Sequence, residues 1–423
     1  MATPVHLRLS DLRGFRRLAT DATVGLTDLV EALHHTITRT PGVLGKSPTG
    51  RTTGITGLVY KSVRGIARLV GVGIDASLGM FVPLLADRPS SNEREVILAA
   101  LNGVFGDYLV ASGNPLAIAM HVRRAGAAVA ITRDALAAAY SDPRRKIVVL
   151  VHGLCMNDLQ WARKGHDHGA ALAHDLGYAP VYLHYNTGRH ISTNGREFGD
   201  LMETLLRQWP HPVERLVIIG HSMGGLVARS ACHYAARAGH AWPGRLDDLI
   251  FLGTPHLGAP LERAGAWADF LMGISPYTAP FARLGKVRSA GIKDLRHGYL
   301  RDEDWQTHPK DTAHHAGASL ALPEGVRCFA IAASRQERAN SSGTRIRGDG
   351  LVPASSALGQ HRLASLDLGL PDAHRWVGYG MSHLDLLSRF DVYEHVRDWL
   401  AESPGRIDGA VKATRRAGSP EVD

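Results

Sequence analysis

From residue 116 onward the chain alternates between short, unbroken apolar runs and longer stretches in which apolar residues recur at helical spacing. Residues 116–123 and 127–132 flank Ala125-Gly126, the pattern of a hairpin closed by a tight turn. Residues 134–140 read as a helix, and apolar runs follow at 146–152, 180–185, 215–220, 249–253, 327–332 and 376–379. Between and after them, 197–209, 226–238 and 384–400 carry the 3.6-residue period of amphipathic helices. Residues 147–151 and 216–219 consist only of Val, Ile and Leu, as expected of strands covered on both faces. Strands and helices in alternation predict an α/β fold with a mostly parallel sheet and helices on both of its faces.

Two stretches break this alternation. Residues 1–113 show helical spacing without strand-like alternation and read as a helical N-terminal region. Within it, 54–86 is rich in glycine and holds only Lys61, Arg64, Arg68 and Asp75 as charges. That composition suits either a peripheral contact with a membrane surface or helices packed closely on the main domain. The second stretch separates the strands near 253 and 327, and is far longer than an ordinary connection. It places Trp267, Phe270, Leu271, Met272, Tyr277 and Phe281 among Gly and Pro, and reads as a cap insertion over about 259–323. Ordinary packing on the sheet would use the same side chains. The main domain thus spans 114–400, followed by a polar tail at 401–423.

Composition narrows the partners. The 423 residues are 44% hydrophobic and 21% charged, values of a globular chain with a sizeable core. The net charge of +8 is scattered along the chain, so no nucleic-acid partner is expected. Cys155, Cys232 and Cys328 are too few and too far apart for a disulfide framework or a zinc site, which predicts reduced thiols and a cytoplasmic setting. Arg8, Asp11, Arg13, Arg16 and Arg17 occupy the place of a signal peptide's apolar stretch. The longest run without Asp, Glu, Lys or Arg, 108–122, contains Gly113, Asn114 and Pro115 and is too short to span a bilayer.

Candidate chemistry begins at Gly220-His221-Ser222-Met223-Gly224, which fits G-x-S-x-G between a predicted strand and a predicted helix. A serine on that sharp turn lifts its hydroxyl above the sheet, while the flanking glycines remove side chains that would collide. A serine hydroxyl becomes a useful nucleophile only when a base takes its proton and an acid orients that base. His383, after the last short strand and before the last helix, is placed to be the base. Asp349, in Gly348-Asp349-Gly350-Leu351-Val352-Pro353 beyond the strand at 327–332, lies at the carboxyl edge where open parallel sheets carry their sites. Asp247 and Asp248 enter their strand from the opposite end, Asp372 precedes the last strand, and Asp385 follows the histidine too closely. The run into His152-Gly153-Leu154 supplies one backbone donor for an oxyanion, the N–H of Leu154, and Met223 supplies the other. Cys155 sits beside that turn without any cysteine-enzyme motif and reads as a small packing residue.

Taken together these residues resemble those of α/β-hydrolase fold serine esterases of the bacterial lipase type, over about residues 114–400. The further matching features are Gly253-Thr254-Pro255-His256-Leu257-Gly258 and Ser382-His383-Leu384-Asp385. The Gly-Thr-Pro-His run is similar to one that lipases and GPI inositol-deacylase-like proteins carry just before their cap. The resemblance implies hydrolysis of carboxylic esters, often of fatty acids, with Ser222, Asp349 and His383 as the triad and no cofactor. Some secreted lipases of this type bind calcium through an aspartate two residues after the histidine and a glutamine four further on. Asp385 matches the first, but Arg389 stands at the second, so no metal is expected. The apolar insertion favours medium or long acyl chains as the lipid or small-molecule substrate. Thioester hydrolysis, acyl transfer by the same triad, and a non-catalytic lipid- or partner-binding role are the alternatives.

Overall fold

The structure, a computed structural model, describes residues 10–14, 16–21, 23, 61, 92–140, 144–259, 289–306, 320–338 and 346–402. The glycine-rich stretch (apart from Lys61), the aromatic part of the insertion and residues 403–423 of the polar tail lie outside the described residues. Helix α1 (Asn92–Ala111) leads into the antiparallel hairpin β1 (His121–Arg124) and β2 (Ala127–Val129), then α2 (Arg133–Ala139). The alternating part comprises β3 (Lys146–Val151), α3 (His168–Asp175), β4 (Tyr178–His184), α4 (Ile191–Gln208), β5 (Arg215–His221), α5 (Met223–Ala238) and β6 (Leu246–Leu252). The insertion contributes α6 (Ala290–His297) and α7 (Asp302–Gln306). After β7 (Arg327–Ser334) come the short α8 (Ala354–Ala357), β8 (Arg375–Tyr379) and α9 (Phe390–Ala401).

The eight strands form one sheet in the order β2-β1-β4-β3-β5-β6-β7-β8. From β4 to β8 every pairing is parallel, and β1 runs antiparallel to both neighbours. Every residue of β5 is buried, as are the last five of β3, which is why these strands carry no polar alternation. The main core gathers both faces of the sheet with Phe198, Met202 and Leu205 of α4 and Leu226, Val227 and Ala231 of α5. The sheet order changes direction at β3, so the carboxyl ends of β3 and β5 open the crevice in which α/β sheets place their ligands. At the opposite edge, buried Asp248 binds the guanidinium groups of both Arg215 and Arg327. It is thereby fixed far from that crevice.

Several elements differ from the sequence expectation for identifiable reasons. The first hairpin strand starts at His121 rather than 116, because Asn102 of α1 takes the backbone that would pair: its Nδ2 donates to Leu116 O and its Oδ1 accepts from Ile118 N. Helix α4 starts at Ile191, six residues before the expected position, because Asp294 of the insertion accepts the Ile191 N–H. The last helix is split into a 3₁₀ turn at His383–Leu387 and α9. In a continuous helix Leu386 O would take the Phe390 N–H, but it accepts from His168 Nε2 at 2.8 Å instead.

Candidate active site

Strand β5 ends in a turn so tight that its shape dictates its residues. Ser222 adopts φ 53° and ψ −122°, while its N–H still pairs with Leu252 O at 2.8 Å. A methyl group on Gly220 would lie 2.5 Å from the Gly225 backbone, and one on Gly224 would lie 2.1 Å from Val151 O. Both glycines are therefore fixed by backbone contacts that cannot yield, and helix α5 can start directly behind the serine.

Asp349 and His383 come from the other side of β5. Asp349 is buried in the loop after β7, where Oδ1 accepts the amides of Leu351 and Val352, each at 2.8 Å. Arg335, directly beyond β7, donates to Asp349 O at 2.7 Å and ties the loop to the sheet. The remaining oxygen, Oδ2, meets His383 Nδ1 at 2.6 Å. A ring that donates from Nδ1 to a carboxylate holds its lone pair at Nε2, the state a general base requires. His383 lies next to the elbow: His221 Nε2 donates to His383 O at 3.3 Å, and the two rings are 4.8 Å apart. A methyl group on Gly153 would come within 3.1 Å of both Ser222 Cβ and His221 Nδ1, so the turn carrying Leu154 abuts the serine. The structure thus gathers Ser222, His383, Asp349, Met223 and Leu154 at the carboxyl ends of neighbouring strands, all of them buried.

The other aspartates are occupied elsewhere. Asp248 lies at the far edge of the sheet, and the fully exposed Asp372 side chain faces Arg375. Asp385 accepts from Lys164 Nζ at 2.6 Å and from both the hydroxyl and the amide of Ser382. Burial pushes its carboxyl up, but these partners outweigh burial and hold it at about 2. Asp385 thus caps the turn that carries His383. Among the described residues no cluster of His, Cys, Asp and Glu is arranged to hold a metal ion.

Buried neutral histidines lie close to Ser222 and His383. Burial holds His152 and His168 down at about 4, and burial together with His383 keeps His221 well below the ordinary imidazole range. Their hydrogen bonds fit neutral rings. The His168 Nε2–H donates to Leu386 O while Nδ1 pairs with His166, and His152 stacks on Tyr185 with centroids 4.5 Å apart. Lys164, His168 and Thr187 escaped the sequence reading, because each acts through a partner distant in the chain and follows no spacing rule. Thr187 alone had a positional signal, as it falls in the loop just after β4 at the carboxyl edge.

Residues 143–330, somewhat under half of the chain, match the family model described as the PGAP1-like alpha/beta domain. No curated protein sequence matches the chain. Among solved structures, the mature form of a Bacillus licheniformis lipase is similar at 18% identity and TM-score 0.38, over 60% of this chain and 93% of that one. Aspergillus fumigatus lipase B is similar at 13% identity and TM-score 0.38, over 67% and 61%. A hyperthermophilic esterase from Pyrobaculum calidifontis is similar at 15% identity and TM-score 0.37, over 61% and 74%. By its strand order and its crevice the chain has the α/β-hydrolase fold, and residues 143–330 of it are similar to the PGAP1-like alpha/beta domain.

Proposed function

We propose that the protein is a serine hydrolase of carboxylic esters, with Ser222 as nucleophile, His383 as general base and acid, and Asp349 orienting His383. The observation that carries this reading is the buried 2.6 Å contact between His383 Nδ1 and Asp349 Oδ2 beside a serine held at φ 53° on a strand-to-helix turn. The Ser222 hydroxyl gives its proton to His383 Nε2 as Oγ bonds to the ester carbonyl carbon, and the carbonyl oxygen becomes an oxyanion. The amides of Leu154 and Met223 receive that charge, Met223 from the N-terminal end of a 16-residue helix. The ester C–O bond then breaks, and the leaving alcohol takes the proton from His383. Water attacks the acyl-serine with His383 again as base, which releases the carboxylic acid and restores Ser222. The apolar side chains in the insertion favour medium or long acyl chains.

The test is hydrolysis of p-nitrophenyl esters from acetate to palmitate by the wild type and by Ser222→Ala. Expected are turnover by the wild type that rises towards medium or long chains, and its loss in the alanine variant. Equal hydrolysis by both proteins would remove the serine mechanism. A folded wild type inactive on every ester would instead move the reading to acyl transfer, to thioesters or to binding.

A further inference from the structure

Helix α1 meets the rim of the crevice at backbone distance. A methyl group on Gly103 would lie 2.2 Å from Cys155 Sγ and 3.0 Å from Cys155 Cα. Cys155 directly follows Leu154 and is one of four non-glycine residues among those described with a positive φ, at 59°. Two contacts hold it there: its N–H donates to Thr187 Oγ1 at 3.1 Å, and its thiol points at Ala100 O of α1, 3.9 Å away. Burial pushes the thiol well above its ordinary range, so the sulfur acts as a neutral filler. The same helix is tied to the rest of the rim. Gly106 O accepts from Asn186 Nδ2, Gly103 O accepts from Ser289 Oγ at 2.7 Å, and Asp107 accepts the Ala290 N–H at 2.9 Å. Asn102, fully buried, fixes the helix in turn to Leu116 and Ile118.

We infer that Cys155 is a positioning residue for the oxyanion turn: wedged between Gly103 of α1 and Thr187, it sets the direction of the preceding Leu154 N–H. This rests on the esterase reading above. The turn is strained at Cys155 and would relax if either wall moved, which would swing the Leu154 amide away from the developing charge. Such a displacement weakens binding of the transition state and leaves binding of the ester itself nearly untouched. A residue that only fills the core would instead affect folding stability, without selecting between kcat and KM.

The test compares the full chain with Gly103→Ala, Cys155→Gly, Cys155→Ala and Gly103→Ala/Cys155→Ala. Each is assayed for kcat and KM on a p-nitrophenyl ester, for the rate of labelling by a fluorophosphonate, and for melting temperature. Gly103→Ala places a methyl group against the sulfur in a helix that alanine otherwise favours. Its kcat is expected to fall by about tenfold to a hundredfold, less than the roughly hundredfold to thousandfold cost of losing an oxyanion donor outright, with KM unchanged. In the double variant the Gly103→Ala methyl takes the place of the removed sulfur, and kcat is expected to return towards the wild-type value. Cys155→Gly, which suits the positive φ and should fold, is expected to show the same loss in kcat alone. Wild-type kcat in Gly103→Ala and Cys155→Gly, or a loss in Gly103→Ala that tracks melting temperature and is not relieved in the double variant, would overturn the inference alone. A wild type that neither hydrolyses esters nor labels would overturn the esterase reading, and this inference with it.

Discussion

Four non-glycine residues among those described take a positive φ, and two of them, Cys155 and Ser222, lie at the crevice, while a third, Lys164, pairs with Asp385 in the turn that carries His383. Each such conformation costs on the order of 1–3 kcal/mol and persists only where its surroundings over-determine it. For Ser222 the surroundings are Leu252 O and the two glycine contacts, for Cys155 they are Thr187 and α1, and for Lys164 the ion pair with Asp385. Strain concentrated around one serine marks the place where backbone shape matters most. Asp349 shows the same concentration in its hydrogen bonds, with two amides on one oxygen and His383 on the other. In Asp349→Asn the side-chain amide can present its N–H₂ to His383 Nδ1, which would favour the tautomer with its proton at Nε2 and deny Ser222 a base. The variant is expected to fold and to lose on the order of 10⁴ in kcat, read from steady-state hydrolysis at neutral pH. Turnover within tenfold of wild type would show that Asp349 does not orient the base.

At the level of elements, the strands that were plain in the sequence are those whose burial is complete. The unbroken Val/Ile/Leu runs at 147–151 and 216–219 became the two central strands β3 and β5, because a strand covered on both faces has no use for polar alternation. The turn at Ser222 was legible for a related reason: a turn that leaves no room for Cβ atoms must show its glycines. The errors fell where a side chain of another element supplied a backbone partner. Asn102 shortened the hairpin strand from the helix just before it, while Asp294 lengthened α4 and His168 broke the last helix from segments far along the chain. Asp349 and His383, 34 residues apart, were linked in sequence only by their places beyond predicted strands, at the carboxyl edge of the sheet. The role of α1 had no signal at all, since its partners are a turn after β3, a loop after β4 and the start of α6. Local pattern reports what a segment buries; it does not report which segment buries it.

For the whole molecule, the buried histidines link stability to acidity. His152 and His168 are neutral in the folded state, with values near 4, whereas in the unfolded chain they return to about 6.5. Below 6.5 the unfolded chain therefore takes up more protons than the folded one, so stability is full above that pH and is lost as the pH falls towards about 4. His221, shifted in the same direction, adds to the loss, while Asp385, held at about 2, stays charged throughout this window. The melting temperature is expected to drop steeply across that window, and less steeply in His168→Gln; a flat profile would contradict the assignment of these rings as neutral. Activation of Ser222 by His383 is tested most directly by covalent capture with a fluorophosphonate followed by intact and peptide mass. A single adduct is expected, located on Ser222, absent from Ser222→Ala and formed far more slowly by His383→Ala. An adduct on another residue, no adduct on the folded protein, or equal labelling rates in wild type and His383→Ala would contradict that activation.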